Sequence, residues 1–251
     1  MERSLLSSLL AVALGVGCSS PRKDSPEAAG REQSPKSQVL EAGARALQDT
    51  TPVRQFDIYL VGFHPMKDDP AMQMEAHHYC HQVNQDFAQC VLFDGNTASA
   101  NMNGVEYIIS ERLFESLPAE ERRSWHPHNY EILSGQLVAP GLPAVAEKSL
   151  MKDKMNSYGK TWHVWMTTPH GDKPADTLPL GPPHLAWSFN RDGEAHPGLV
   201  ENAFQQLKID PTEKRKDRAD LSAVAHPQEG VDALKGAFPG AGAAPPGVQP
   251  K

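Results

Sequence analysis

Residues 70–87 read Pro-Ala-Met-Gln-Met-Glu-Ala-His-His-Tyr-Cys-His-Gln-Val-Asn-Gln-Asp-Phe, and they decide the first interpretation of the chain. Their apolar residues recur at intervals of three and four, which is typical of an amphipathic helix. The pattern therefore predicts a helix over residues 70–87 that starts at Pro70. On such a helix His77 and His81 lie one turn apart on the same face.

Two imidazoles with this helical spacing can share a metal ion, as in the zinc-protease helix. His78 stands where that motif carries its general-base Glu, so the match is not to a metalloprotease. The metal hypothesis assigns these residues to the site: His77, His81, His78, Glu106, His126, His128 and His163. Its cofactor is a divalent transition metal such as zinc. Histidines at a helix edge are also often polar flanks without a ligand, so a chain with no cofactor stays an open alternative.

The rest of the chain predicts one α+β domain, with an antiparallel sheet covered by helices and with disordered termini. Alternating or continuous apolar runs predict strands at 55–64, 89–94, 105–110, 129–138 and 161–167. The domain is expected over residues 38–195, followed by a helical extension at 196–225. Residues 226–251 contain five Gly and five Pro and predict a disordered tail.

The composition narrows the class of protein. The chain has 251 residues, of which 39% are hydrophobic and 22% charged, with a formal net charge of -7. A chain with a single long apolar run, located at its N-terminus, is not a multi-span membrane protein. Because nucleic-acid binding needs a basic face, the acidic balance predicts no nucleic-acid partner.

The N-terminus has the features of a targeting signal. Residues 4–17 form a short apolar run that fits a secretory signal peptide over residues 1–17. The run ends at Gly15-Val16-Gly17-Cys18, which resembles the bacterial lipoprotein box, with Gly15 where the pattern usually has Leu. This resemblance implies a lipid-anchored mature chain that starts at Cys18, modified by palmitate or a related acyl group. Residues 18–37 would then form a flexible tether.

Cys80 and Cys90 remain as thiols if Cys18 is acylated. Ten residues of continuous helix would separate them by about 15 Å, which is too far for a disulfide. A turn near residues 86–89 could bring them closer. A disulfide is therefore possible but is not the favoured expectation.

Five separated motifs together resemble the oil body-associated protein family, whose domain has no known function. They are Gln73-Met-Glu-Ala-His-His-Tyr-Cys80, Gly104-Val-Glu-Tyr-Ile-Ile-Ser110, Ser134-Gly-Gln-Leu-Val-Ala-Pro-Gly141, Tyr158-Gly-Lys-Thr-Trp162 and Leu178-Pro-Leu-Gly-Pro-Pro183. They occur in the family's order over roughly residues 38–190. The resemblance implies a water-soluble domain whose plant members associate with seed oil bodies, and it supplies no catalytic residues.

The N-terminal targeting signal and the resemblance to the oil body-associated protein family together predict an envelope lipoprotein. This protein would be non-enzymatic and would associate with a lipid surface or a small apolar ligand. Its location would be the bacterial cell envelope, anchored to the outer membrane through Cys18. The alternative is a metal-binding protein or metal-dependent enzyme that uses the His77 and His81 pair. Whether any reaction is catalysed stays open at this point.

Overall fold

The computed structural model of the protein describes residues 25–251, and one curled antiparallel sheet forms its centre. Within the described range the strands of this sheet are β1 (Ile58–Pro65), β2 (Gln73–Asn84), β3 (Phe87–Phe93), β4 (Met102–Ile109), β5 (His126–Pro127), β6 (Tyr158–His163) and β7 (His184–Leu185). Their order is β1-β2-β3-β4-β6-β5, and β7 also pairs with β6. The amide of Trp187 donates to the carbonyl of Pro65 at 2.8 Å, and the amide of Lys67 donates to that of Leu185 at 2.8 Å. These bonds link the end of β1 to the chain at β7, so the sheet curls into a half-barrel.

Helices flank the sheet and confirm the predicted α+β class. Those in the described range are the α-helices α1 (Pro35–Leu47), α2 (Thr51–Arg54), α3 (Glu111–Glu115), α4 (Ala119–Arg122), α5 (Asn129–Leu133), α6 (Ala144–Lys154), α7 (Leu199–Leu207) and α8 (Pro211–Asp217), and a 3-10 helix at Ala219–Val224. α7 packs against the outside of the half-barrel, where the buried ring of Phe204 meets Phe63 edge-on with centroids 5.6 Å apart. The segment predicted as a helical extension therefore contributes to the same core as the sheet.

The helix predicted over residues 70–87 is wrong. Residues 70–72 lead into β2, and the rest form β2, a short turn and the start of β3, with the amide of Asp86 donating to the side-chain oxygen of Asn84 at 2.9 Å. The physical reason is that residues 73–78 are buried on both faces of the sheet. A strand covered on both sides loses the polar–apolar alternation that marks a half-exposed strand, and the remaining apolar spacing imitates a helix.

The tail predicted to be disordered, residues 226–251, is packed onto the domain. Val231, Leu234, Phe238 and Val248 are buried members of the main hydrophobic core. The Trp187 indole donates to the carbonyl of Gly230 at 3.1 Å. The expectation of disorder was wrong because a few well-spaced apolar side chains, rather than the average composition, decide whether a Gly- and Pro-rich segment packs.

Cys80 and Cys90 form a disulfide, against the sequence expectation. They are directly paired positions of the β2–β3 hairpin, with their Cα atoms 4.0 Å apart. The estimate of about 15 Å assumed the rise of a helix, and the hairpin removes that assumption. Both side chains are buried in the core.

The predicted signal peptide, Cys18 and the first part of the tether lie outside the described residues. Residues 25–34 belong to no helix or strand, and α1 begins directly after them at Pro35. Among residues 25–251, none of the helices is both long enough and apolar enough to cross a bilayer.

Candidate functional sites

A cluster of polar side chains is buried inside the half-barrel, and we call it the interior cluster. Its members are His64 on β1, His78 on β2, Glu106 on β4, His126 on β5, His128 just after β5, Glu131 on α5 and His163 on β6. None of these residues is more than 4% exposed. The strand register explains part of this convergence, since side chains of directly paired residues point to one face of a sheet. His78 pairs with Leu92, Leu92 with Gly104, and Gly104 with His163.

Glycines on the inner face leave the space that the imidazoles occupy. A Cβ atom at Gly159 would lie 2.6 Å from Nε2 of His126 and would overlap the Glu106 carboxylate. A Cβ atom at Gly104 would lie 3.1 Å from Nδ1 of His163. Real Cβ atoms do not approach other atoms as closely as the first of these distances. The absence of a side chain at Gly104 and Gly159 thus leaves room for the neighbouring imidazole rings on the inner face of the sheet.

Glu106 is the centre of the interior cluster. Its Oε2 atom lies 2.7 Å from Nε2 of His78. Its Oε1 atom lies 3.4 Å from Nε2 of His128 and 3.8 Å from Nε2 of His126. One oxygen is therefore bound by a single close imidazole, whereas the other faces two imidazoles at longer distances.

A chain of hydrogen bonds orients His64. Nδ1 of His163 lies 3.3 Å from the carbonyl oxygen of Asn103, which only accepts, so this nitrogen carries the hydrogen. Nε2 of His163 is then the acceptor for Nδ1–H of His64, at 3.1 Å. Assigned in this way from the network, the neutral ring of His64 keeps a lone pair on its Nε2 atom.

The same reasoning orients His128. The Ser157 hydroxyl donates to the carbonyl of Lys154 at 2.7 Å, so its oxygen accepts from Nδ1–H of His128, also at 2.7 Å. The hydrogen of a neutral His128 is thereby used on the side away from Glu106. Its Nε2 atom faces Oε1 of Glu106 and, at 4.0 Å, Oε2 of Glu131.

Burial keeps three of the histidines uncharged over the neutral range. It lowers the pKa of His126 to about 3 and the pKa of His163 to about 4. It also lowers the pKa of His64 well below its ordinary value. The cause is the loss of solvation for a charged ring in each case, and neighbouring histidines add to it.

The two carboxylates of the interior cluster shift in opposite directions. Burial, and then the charge of Glu106, raises the pKa of Glu131 well above its ordinary value. Burial also acts to raise the pKa of Glu106, but the charge of His78 beside it holds that pKa well below its ordinary value. The two carboxyl groups of the cluster therefore differ in proton affinity, with Glu131 holding its proton more strongly than Glu106.

The structure brings together five of the residues that the sequence assigned to a metal site: His78, Glu106, His126, His128 and His163. His77 and His81 lie on the opposite face of β2, because successive side chains of a strand alternate. His77 contacts Glu75 (Nε2 to Oε1, 2.7 Å) and Tyr59 (Nδ1 to Oη, 2.7 Å). The paired helical site was thus wrong in its geometry.

Two members of the interior cluster, His64 and Glu131, escaped the sequence analysis. His64 had a usable signal, since it follows Leu60 and Gly62 at strand spacing and so shares their face. Glu131 had no such signal in the sequence, because only the folded path of residues 126–139 brings its side chain to the cluster. That segment is held from behind by buried Arg218, which donates to the carbonyls of Ile132 (3.1 Å) and Leu137 (2.7 Å).

The outer surface has a second feature, the amphipathic helix α1. Ser34 caps its N-terminus by accepting from the amide of Ser37 at 3.2 Å, and Pro35 occupies the first turn. None of its residues is buried, and its apolar side chains are strongly exposed: Val39 at 72%, Leu40 at 63% and Leu47 at 88%. At about 100° per residue these three side chains fall within one third of the helix circumference.

An apolar groove lies on the outer face of the sheet, close to α2. Its volume is about 280 Å³, and it is lined by Val53, Phe56, Tyr79, Val91, Phe93, Gly95, Thr97 and Ala100. Tyr79 contacts Phe93 edge-on, with ring centroids 5.6 Å apart. Val53 is 69% exposed at the rim. The groove thus adds a second exposed apolar feature to the described surface, beside α2.

Comparison with known proteins gives consistent matches over most of the chain. The family described as "protein of unknown function (DUF1264)" matches residues 50–222. Oil body-associated protein 2B of Arabidopsis thaliana is 41% identical over 207 residues, covering 82% of this chain and 81% of its own. Oil body-associated protein 2A of Zea mays is 38% identical over 203 residues (80% and 79%), and protein 1B of Arabidopsis thaliana is 33% identical over 209 residues (83% and 83%). No solved structure matches the chain.

Proposed function

We propose that this chain, which belongs to the oil body-associated protein family (DUF1264), acts as a non-enzymatic protein at a lipid surface. The relatives are named for their association with oil bodies. The observation that carries the proposal to this chain is α1, an amphipathic helix whose apolar side chains contact no core.

Helix α1 has the properties of an interfacial helix. Its 13 residues give a length of about 20 Å, which is too short to span a bilayer but long enough to lie in its surface. Val39, Leu40 and Leu47 would enter the acyl region, while Glu41 and Arg45, which form an i,i+4 ion pair at 2.9 Å, stay in water. Burial of a leucine side chain is worth roughly 1.5–3 kcal/mol, so a few such residues give measurable binding.

The charge of the chain indicates which lipid surface suits it. A net charge of -7 opposes binding to a strongly anionic membrane. The hydrophobic term from α1 and the groove is then the main attraction of the domain. We therefore expect binding to zwitterionic bilayers or neutral droplets.

The envelope location and the acyl anchor belong to the same proposal. Cys18 follows a signal-like run, and the tether leads from it to α1, which starts at Pro35. A weak interfacial helix becomes effective when an acyl chain already holds it beside the membrane, because stable attachment takes two signals. Acylated Cys18 would thus supply the anchor in a bacterial envelope, and α1 with the groove would set how the domain lies on the surface.

The lipid contact is tested by flotation of the full chain carrying Cys18→Ser, which removes the anchor. Phosphatidylcholine vesicles and phosphatidylcholine-coated triacylglycerol droplets are the two probes. The Leu40→Asp/Leu47→Asp variant should bind at least about 100-fold more weakly, from the loss of two buried leucines. The Gln38→Asp/Gln48→Asp variant adds the same charge outside the apolar stripe and should bind nearly as well as the parent. Absence of flotation of the folded parent on both surfaces would refute the lipid contact.

The anchor is tested separately by mass spectrometry of the chain expressed with its own N-terminus in a bacterium. We expect a mature chain that begins at acylated Cys18 in the membrane fraction. A mature chain that begins elsewhere and is recovered from the soluble fraction contradicts the anchor and leaves the lipid contact of the domain to be judged by flotation.

A further inference from the structure

We infer that the interior cluster is a binding site for one divalent transition metal ion, held by His64, Glu106 and His126. One ligand atom from each residue lies within 4.8 Å of the other two. All three residues are buried, with exposures of 2%, 2% and 0%. The site lies inside the half-barrel, on the side of the sheet opposite to the apolar groove, and so it is independent of the lipid contact.

The ligand atoms of His64 and Glu106 are oriented before any ion binds, and Nε2 of His126 lies 3.0 Å from the Thr161 hydroxyl. The hydrogen bonds from Asn103 through His163 to His64 place the ring hydrogen of His64 on Nδ1 and leave a lone pair on its Nε2 atom. A histidine that binds a metal typically donates its other ring hydrogen to such a partner. His78 contacts Oε2 of Glu106 at 2.7 Å, which leaves Oε1 turned toward His126.

The cluster places acceptors against each other where a cation would fit. Nε2 of His128 and Oε1 of Glu106 are 3.4 Å apart, and the hydrogen of neutral His128 is already donated to Ser157. His126, His128 and Glu131 form a second group whose ligand atoms also lie within 4.8 Å of one another. Buried lone pairs that face each other are unfavourable unless a cation lies between them. A metal ion on His64, Glu106 and His126 supplies that positive charge and leaves His128 and Glu131 as its polar surround.

The available space limits the ligand. A cavity of about 20 Å³ adjoins the cluster and is lined by residues that include His64, His78, Glu106, His128 and Glu131. This volume holds a single water molecule or ion and excludes an organic cofactor. Two imidazoles and one carboxylate suit zinc, iron(II), cobalt(II) or manganese(II), whereas calcium and magnesium favour oxygen ligands alone.

The experiment uses the full chain with a histidine-free affinity tag, stripped with a chelator and then titrated with Co²⁺ or Zn²⁺. We expect about one equivalent of metal per chain by elemental analysis, visible d–d absorption from bound cobalt, and a higher thermal midpoint with the ion. The isosteric variant Glu106→Gln should lose stoichiometric binding. His163→Asn, which changes only the partner of His64, should weaken binding by about 10- to 100-fold.

A matched control keeps the inference falsifiable if a variant in the cluster unfolds. His77→Asn removes an imidazole from the opposite face of the same strand and should bind metal as the parent does. The decisive measurement is made on the parent chain itself. If the folded, stripped parent takes up less than a tenth of an equivalent of each metal and its thermal midpoint does not move, the cluster holds protons alone and the inference is refuted.

Discussion

Reduction of the Cys80–Cys90 disulfide should destabilise the domain without unfolding it. The perturbation is a reducing agent, applied to the full chain carrying Cys18→Ser so that no third thiol reacts. The two cysteines are directly paired in the β2–β3 hairpin, so reduction breaks one covalent link and leaves the strand pairing in place.

The magnitude follows from the size of the closed loop. The cysteines are ten positions apart. In the chain-entropy account, a cross-link over a loop of that length removes about 9 cal/mol/K of entropy from the unfolded state, or about 2.7 kcal/mol at 25 °C. For a domain of this size, that free energy corresponds to a fall of roughly 5–10 °C in the thermal midpoint.

The assay is thermal and urea unfolding with and without the reducing agent, with alkylation to count free thiols. The Cys80→Ala/Cys90→Ala variant is the control, because it has no bond to reduce and should not respond to the agent. Two outcomes contradict the reasoning: two alkylated cysteines before reduction, or oxidised and reduced chains whose unfolding free energies agree within about 0.5 kcal/mol.

Two further predictions concern the interior cluster, both measured in chelator so that bound metal does not contribute. Burial holds the pKa of His126 at about 3 and that of His163 at about 4 in the folded chain, so between pH 7 and pH 5 both rings bind protons only after unfolding. The free energy of unfolding is therefore retained above about pH 6.5, the pKa of an unfolded histidine. Below that pH it falls, by about 2 kcal/mol per ring at pH 5. The raised pKa of Glu131 opposes this loss, so urea unfolding of Glu131→Gln should show the steeper dependence, and a flat profile in that variant would rule the account out. Gly159→Ala should destabilise the domain by about 3 kcal/mol, because its methyl group overlaps the Glu106 carboxylate and His126. The control Gly43→Ala places its methyl group in open space on α1 and should leave the unfolding midpoint of the core unchanged. Equal midpoints for the two variants would contradict the overlap.

The two proposed activities use opposite faces of one sheet. Tyr79 faces the outer groove, and its neighbour His78 reaches Glu106 inside the half-barrel. Alternation along β2 thus separates an apolar outer surface from a polar interior over a single residue step. Substitutions on one face can therefore test one activity with little direct effect on the other.

Much of the architecture follows from local pattern. The strands predicted at 55–64, 89–94 and 105–110 correspond to β1, β3 and β4, and β3 shows the one-sided burial that an alternating pattern predicts. The strand predicted at 161–167 overlaps β6, whereas the strand predicted at 129–138 was wrong, because residues 129–133 form α5. The α+β class follows from these strands together with the intervening helices. The separated motifs by themselves also led to the family.

The composition of the interior cluster, by contrast, was decided by tertiary structure. Pairing of β2 with both β1 and β3, and the cover provided by α7, bury residues 73–78 on two sides. Because of this double burial, the sequence of β2 lacks the two-residue alternation of a half-exposed strand. The sequence therefore did not indicate that His78 points inward, that His77 points outward or that Cys80 pairs with Cys90. His64 and Glu131 joined the cluster through contacts between residues far apart in the chain. Local periodicity records which side of a segment is apolar, but only long-range packing determines what that side faces.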